Sequence, residues 1–537
     1  MSSRRTFLRH SAAVAGAALT PAVGALTGAV LPGCDDGLPA LPRDLPRYED
    51  SPASVGMGPA GLFAHGVASG DPDARSVRLW TRVTPDDASS EVAVFYEVAL
   101  DPELRRRVAA GTMTTSAARD YTLHVDVGEL VWGRTYYYRF QSQGRASVVG
   151  RTRLAPEGDV PRLRFGVVSC SNLARGWFHA YAHLAQRDDL DGILHLGDFL
   201  YESPSSAGMP RAHEPAGELV TLEDYRTRHG QYRREEALQE LLRQNPIIPV
   251  WDDHETSNNA YATGSPGHDE GSEGPWATRK AAAQQAYYEW LPVRVPAGGP
   301  LHRTLRYGSM LDLIMLDTRL EGRDPQLADV TLDTPERTLL GAAQEAWLTT
   351  ALSGSSARWV VLGQQVMVGQ LDLPVENNDQ WDGYGSARER LFDAIEAHAP
   401  GRTVVLTGDI HSAWATMLAR APFEAGFEPG RDALAVEFVA PGVTSPFPLP
   451  PTIGAALARS LPETHPHVAW ANLSHRGFFT LELSAERVAA DWYILDGVLE
   501  DEGELSFAMG ADVAHGQSVI TLRELPLPVR VGVERAP

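Results

Sequence analysis

Four short polar clusters carry the side chains best suited to chemistry: Ser169-Cys170, Gly197-Asp198-Phe199-Leu200-Tyr201-Glu202, Asp252-Asp253-His254-Glu255 and Gly408-Asp409-Ile410-His411. Each alone is weak, since Gly-Asp after a strand is often a plain turn. Four in succession, each following an apolar run, point to a metal site. The donors are mixed: thiolate, phenolate, carboxylate and imidazole. Carboxylates favour calcium, magnesium or manganese, whereas imidazole and thiolate favour zinc or iron, so the mixture suggests two unlike metals. Phosphate-ester hydrolysis commonly uses two metals about 3.5–4 Å apart, which polarise the ester and deprotonate a water.

Such clusters need a frame that delivers them to one place. Apolar runs at 163–168, 192–196, 247–251, 310–316, 358–362 and 403–407 read as strands. Helical patterns at 177–185, 222–243, 278–290, 342–352 and 387–397 alternate with them. Further strands are expected at 435–440, 477–483 and 488–493. The alternation implies an α/β core of layered sheets and helices, where ligands bind beyond the C-terminal strand ends. Residues 60–155 differ: short runs at 77–82, 91–98, 122–127 and 135–141, separated by turn clusters, read as a β-sandwich. The expected division is therefore an N-terminal β-sandwich over 58–155, a boundary at 154–160 and a catalytic domain over 160–530.

At 537 residues the chain is too long for one ordinary domain. Its 43% apolar content suits a sizeable core, and its formal charge of −22 opposes binding to nucleic-acid backbones, so no specific nucleic-acid partner is expected. An anionic substrate then needs bound cations to reverse the local sign. Residues 1–33, with Ser3-Arg4-Arg5-Thr6-Phe7-Leu8 ahead of an Ala- and Gly-rich stretch, read as a signal peptide for the twin-arginine export machinery. Pro21 and the glycines weaken the competing reading, a membrane anchor. Leu31-Pro32-Gly33-Cys34 resembles a lipoprotein box; a lipid anchor at Cys34 and simple cleavage nearby both stay open. Residues 35–57 read as a tether. The expected location is exported, periplasmic or extracellular, with a membrane-anchored lipoprotein as the variant. Cys34 and Cys170 are the two cysteines, so export leaves one thiol, which must be buried or metal-bound. A small buried hydrophobe is the competing reading of Cys170.

Taken together, the clusters resemble the calcineurin-like metallophosphoesterase pattern, especially the purple acid phosphatase variant with its Gly-Asp-x-x-Tyr element. Within that superfamily the sequence is most similar to the PhoD-type alkaline phosphatase/phosphodiesterase family. The similarity runs through His65-Gly66-Val67-Ala68-Ser69-Gly70-Asp71-Pro72, Leu79-Trp80-Thr81-Arg82, Val168-Ser169-Cys170 and Asp224-Tyr225-Arg226. It continues in Trp251-Asp252-Asp253-His254-Glu255, Leu316-Asp317-Thr318-Arg319, Asp379-Gln380-Trp381-Asp382-Gly383-Tyr384 and Gly408-Asp409-Ile410-His411. The resemblance implies a β-sandwich followed by a metallophosphoesterase domain with two sheets flanked by helices.

By position, the resemblance also implies that Cys170, Tyr201 and His411 bind iron while Asp198 bridges the metals. Asp253 and Asp409 stand where relatives have Asn and His, a replacement that hardens the second site towards calcium. The implied cofactors are Fe3+ and Ca2+, with Zn2+ or Mn2+ as the alternative at one site. His254 would act on the phosphate or leaving group as general acid or transition-state stabiliser. A second-metal histidine has no counterpart in the middle of the chain; Asp252, Asn258 and Asp317 are the candidates to replace it.

Arg319 and Arg226 are candidate phosphate clamps, with a structural ion pair as the competing reading. The stretch Trp381-Asp382-Gly383-Tyr384 reads as a core turn or the pocket mouth, His475-Arg476-Gly477 as a rim element or a strand start, and Tyr225 and Tyr232 as core. The expected reaction is hydrolysis of phosphomonoesters, phosphodiesters or both by a metal-bound hydroxide. Its substrates would be small phosphate esters, phospholipids or polymer phosphodiesters. A phospholipase D-like phosphodiesterase is the nearest alternative, and a non-catalytic phosphate- or calcium-binding lipoprotein the other.

Overall fold

Apolar parallel strands need cover on both faces, and that requirement shapes the centre of the molecule. In the computed structural model, which describes residues 61–87, 91–295, 299–373 and 377–537, strands Arg162–Val168, Gly192–His195 and Ile247–Pro249 run parallel and almost wholly buried. The leader, Cys34 and the tether lie outside the described residues. On one side the three strands continue through Gly477–Ser484, Arg487–Leu495, Leu505–Ala514 and Thr521–Arg523. On the other they continue through Val67–Gly70, Val77–Arg82 and Thr122–Val127, which makes ten strands in all.

A second sheet has seven strands, in the order Arg303–Tyr307, Leu311–Met315, Trp359–Gly363, Thr403–Thr407, Ala435–Val439, Ala413–Leu418 and Val468–Asn472. Its four central members, from Leu311–Met315 to Ala435–Val439, are mutually parallel and entirely buried. Phe165, Ile193 and Phe479 of the first sheet share one apolar core with Val361, Leu406 and Phe438 of the second. Helices cover the outer faces. Ala342–Gly354 and Gly385–His398 supply Leu348, Leu352, Leu391 and Phe392 against the second sheet, and Glu236–Gln244 supplies Leu238 and Leu241 to the main core. The expected α/β layering, with two sheets flanked by helices, is the observed one.

The N-terminal region packs a five-stranded sheet, including Val92–Ala99, Arg107–Thr115 and Thr135–Ser142, on strands Val77–Arg82 and Thr122–Val127. The two-residue alternation of strands is visible in the packing: Val77, Leu79, Val94, Leu123, Val125 and Tyr138 fill the space between the layers. One layer is thus part of the ten-stranded sheet, joined where Gly70 pairs with Ile247. The 154–160 boundary falls in the loop between Gly150–Arg153 and Arg162–Val168.

The helix expected over 222–243 is two helices, Leu222–Tyr232 and Glu236–Gln244. Between them the Arg233 guanidinium stacks on Trp80, its carbonyl accepts from Gln239 Nε2 at 2.8 Å, and Glu235 is extended while pairing with Arg211. These tertiary contacts override local helix propensity. Two sheet ends meet where Ser169 bridges Gly442, with the Val443 amide donating to the Ser169 carbonyl at 2.9 Å. All four polar clusters open at this seam.

Candidate metal centre

Each cluster begins where a strand stops. Ser169-Cys170 follows Arg162–Val168, Asp198 follows Gly192–His195 by three residues, Asp252-Asp253 follows Ile247–Pro249, and Asp409 follows Thr403–Thr407. Cys170, Asp198, Asp409 and His411 all hold left-handed backbones, with φ of 60°, 54°, 59° and 56°. Such conformations cost about 1–3 kcal/mol each outside glycine and gather where surrounding structure imposes them for a purpose. Gly197, with φ 106°, is required: a Cβ there would sit 2.4 Å from the Asp252 Cβ.

The geometry brings three sets of ligand atoms together, each set within 4.8 Å: Cys170, Asp198 and His411; Asp198, Asp253 and His254; Asp252, Asp253 and Asp409. Asp198 belongs to two sets and so does Asp253. The Tyr201 hydroxyl lies 2.8 Å from Asp198 Oδ2 and 3.0 Å from His411 Nε2, so it joins the first set. Ser445 Oγ donates to that hydroxyl at 2.7 Å, and the Pro446 carbonyl holds His411 Nδ1 at 3.1 Å, which directs Nε2 inwards. His254 Nδ1 is fixed by Glu202 at 2.6 Å, and its ring lies 4.0 Å from that of Tyr201.

The electrostatics are those of a cation site. Burial pushes the Cys170 thiol well above its ordinary pKa, and the Asp198 charge pushes it further. Burial raises Tyr201 as well, again with help from Asp198. Burial and then the charges of Asp253, Asp198 and Asp409 drive Asp252 far up against the pull of Arg319. Burial and neighbouring carboxylates lift Asp409 to about 7, in spite of Arg319. Asp253 stays low because Arg319 and His254 overcome its burial, so Asp252 carries the surplus proton of that pair. Burial opposes charge on His254, yet Glu202, Asp253 and Asp198 outweigh it and hold the ring protonated well above its usual range. Asp252 Oδ2 and Asp253 Oδ1 are buried without a hydrogen-bond partner. Orphaned carboxylate oxygens amid a surplus of negative charge fit divalent or trivalent cations.

Other expected residues separate on inspection. Arg319 is fully buried and joins the carboxylate group, donating to Asp252, to Asp379 at 2.6 Å and to Asp409 at 2.9 Å. Arg226 is not brought to the cluster. Its guanidinium grips both Glu289 oxygens at 2.7 Å and donates to the Ala118 carbonyl, so it ties the sandwich to the helical layer and the clamp expectation is corrected. Asp317 is spent locally, accepting from the Arg319 and Leu320 amides at 2.9 and 2.8 Å. It shapes the turn that aims Arg319 and belongs to none of the three sets. Asn258 is exposed and contributes its backbone N–H to Glu202 Oε1 at 2.7 Å.

Trp381 and Tyr384 are buried in the core, as are Tyr225 and Tyr232, while Asp382 faces a groove beside the site. Arg476 precedes strand Gly477–Ser484 and lines a small cleft with Arg175 and Thr444. Sequence reasoning gives no role to Glu202, Glu255, Asp379 or Ser445. Glu255 accepts the amides of Asp198, Phe199 and Asp252, clamping two clusters in register. Glu202 and Glu255 stand inside the recognised clusters, whereas nothing in the sequence marks Ser445.

Comparison with known proteins agrees with this geometry. The family model for the PhoD-like phosphatase matches residues 165–492, and that for the PhoD-like phosphatase N-terminal domain matches 54–156. The chain is 36% identical over 481 residues to alkaline phosphatase D of Bacillus subtilis (strain 168), covering 83% of this chain and 79% of the relative. It superposes on the solved structure of PhoD with a TM-score of 0.78 and 32% identity, covering 88% of this chain and 94% of that one. The chain is a phosphatase and belongs to the PhoD-like phosphatase family.

Proposed function

We propose that the chain is an exported metal-dependent enzyme that hydrolyses phosphomonoesters and phosphodiesters at the Cys170–Asp409 seam. The observation that carries this reading is the sharing of Asp198 and Asp253 among three adjoining ligand sets, the arrangement expected for neighbouring cations. Cys170, Tyr201 and His411, with one oxygen of Asp198, offer the soft and aromatic donors that suit Fe3+. Asp252, Asp253 and Asp409 offer hard oxygens that suit Ca2+. Bound cations supply positive charge to the phosphate oxygens and lower the pKa of the attacking water.

The chain's own groups do the rest. Asp198 and Glu255 hold the clusters at fixed separation through the amides they accept or present. Glu202 fixes the Nδ1 edge of His254, which leaves a protonated Nε2 to donate to the departing ester oxygen. Arg319 keeps four carboxylates from repelling one another and sets the face that Asp409 and Asp253 present.

The test is metal analysis of protein purified from its native host, alongside turnover of p-nitrophenyl phosphate and bis-p-nitrophenyl phosphate. Iron and calcium should both be present, and a thiolate–phenolate iron site should colour the protein, with Tyr201→Phe shifting or bleaching the band. A colourless, fully active preparation containing zinc alone refutes the iron assignment.

A further inference from the structure

We propose that the apolar groove beside Asp409 and His411 is the subsite for an alkyl chain on the esterified alcohol of a phosphodiester substrate. The proposal rests on the phosphoesterase reading of the site. The groove has a volume of about 980 Å³ and shares Asp409 and His411 with the ligand sets, so anything filling it is continuous with a phosphate held there. Its walls are Phe447, Leu449, Ile453 and Leu457, from the segment entering helix Pro451–Thr464 and that helix's first two turns. Leu449 and Ile453 are 37% and 53% exposed, an unusual position for large aliphatics beside a cluster of carboxylates.

The wall is preformed. Leu457, Phe447 and Ile410 pack on a cluster of Trp414, Val439, Leu461 and Val468. Ile410 stands between Asp409 and His411 in the chain, so one tripeptide offers a carboxylate and an imidazole to the reaction and an aliphatic side chain to the groove. The charge pattern selects among occupants. Among the described residues no Lys or Arg lines the groove, and Asp382 and Asp409 do. A second phosphate or other anion would find no cationic partner along the groove, whereas a neutral hydrocarbon would be held by contact area alone.

The experiment uses the full-length holoenzyme and a series of alkyl p-nitrophenyl phosphate diesters from methyl to octyl, read as kcat/KM. Complete burial of a methylene is worth roughly four-fold, so a groove open along one side should give about two-fold per methylene, carried mainly by KM. In Ile453→Ser and Leu457→Ser the octyl-to-methyl ratio should fall towards one. Ile453 is half exposed, so that variant tests the wall without threatening the fold. A flat series with the methyl diester still turned over leaves the groove to another occupant and overturns the proposal. A slope that both variants retain also overturns it. Absence of turnover on every ester, methyl included, would instead sink the phosphoesterase reading itself.

Discussion

The two halves of the centre are built on opposite plans. On one side burial holds the Cys170 thiol and the Tyr201 phenol in their neutral forms, and the uncharged groups Ser169, Ser445 and the Pro446 carbonyl position Cys170, Tyr201 and His411. On the other, Asp252, Asp253, Asp379 and Asp409 crowd round the guanidinium of Arg319, with Arg323 adding a second pair to Asp379. The first half costs little to keep empty, since its thiol and phenol retain their protons; the second carries standing repulsion. The contrast teaches that charge stored in the carboxylate half, more than donor softness, is what cations bound there would relieve. Asp198 is the hinge between the plans: it shares one set with Cys170 and His411 and another with Asp253, which in turn belongs to the carboxylate set.

The sharpest way to break the contrast is to remove that hinge. Asp198→Ala should lower turnover of p-nitrophenyl phosphate by roughly a thousand-fold and deplete both metals together; loss of one metal alone would show that the halves load independently. Next in size is Arg319→Met, which leaves the buried carboxylates facing one another. Denaturant unfolding should show a loss of about 3–5 kcal/mol, partly recovered by added calcium, and an unchanged midpoint would mean that Arg319 is not what balances this half.

A pH series sharpens the same point. Burial raises Asp409 to about 7 and, aided by Asp198, Glu255 to about 8. Both carboxyls bind protons more tightly in the folded chain than in the unfolded one. Their stabilisation is therefore complete below the ordinary carboxylate range and drains as pH climbs through about 7 and about 8. Chelated protein should lose roughly 1–3 kcal/mol between pH 5 and 8, whereas metal-loaded protein should not; parallel curves for the two forms would contradict the stored-charge account. The smallest effect is expected from Tyr201→Phe, about ten-fold in kcat, comparable with removal of one positioned hydrogen-bonding group; a thousand-fold loss would place the phenol on a par with Asp198.

Much of this is legible in the amino-acid sequence, and the gaps have physical causes. Carboxylates placed just after buried, mainly apolar strands, as Asp198 after Gly192–His195 and Asp409 after Thr403–Thr407, announce themselves because parallel strands are largely apolar and their ends need not be. Partners distant in sequence leave no such trace. Arg226 and Arg319 look alike on paper, yet one meets Glu289 and the other Asp252. Asp317 sits at a strand end like the true cluster members, but its lone pairs turn back on its own loop. The break after Tyr232 is hidden for the same reason, since Trp80, more than a hundred residues away, holds Arg233. That the sandwich shares a sheet with the α/β layers depends on Gly70 meeting Ile247, a pairing that no local pattern encodes.

The bridge between Ser169 and Gly442 has a consequence for how the centre can vary. A Cβ at 442 would lie 2.4 Å from the Ser445 carbonyl, so even the smallest side chain must displace the turn that carries Ser445 and Pro446. Those two residues steady Tyr201 and His411 and touch none of the acidic quartet. Position 442 is thus a mechanical trim for one half of the centre: a lineage could retune the thiol, phenol and imidazole donors there while the carboxylate half keeps its settings.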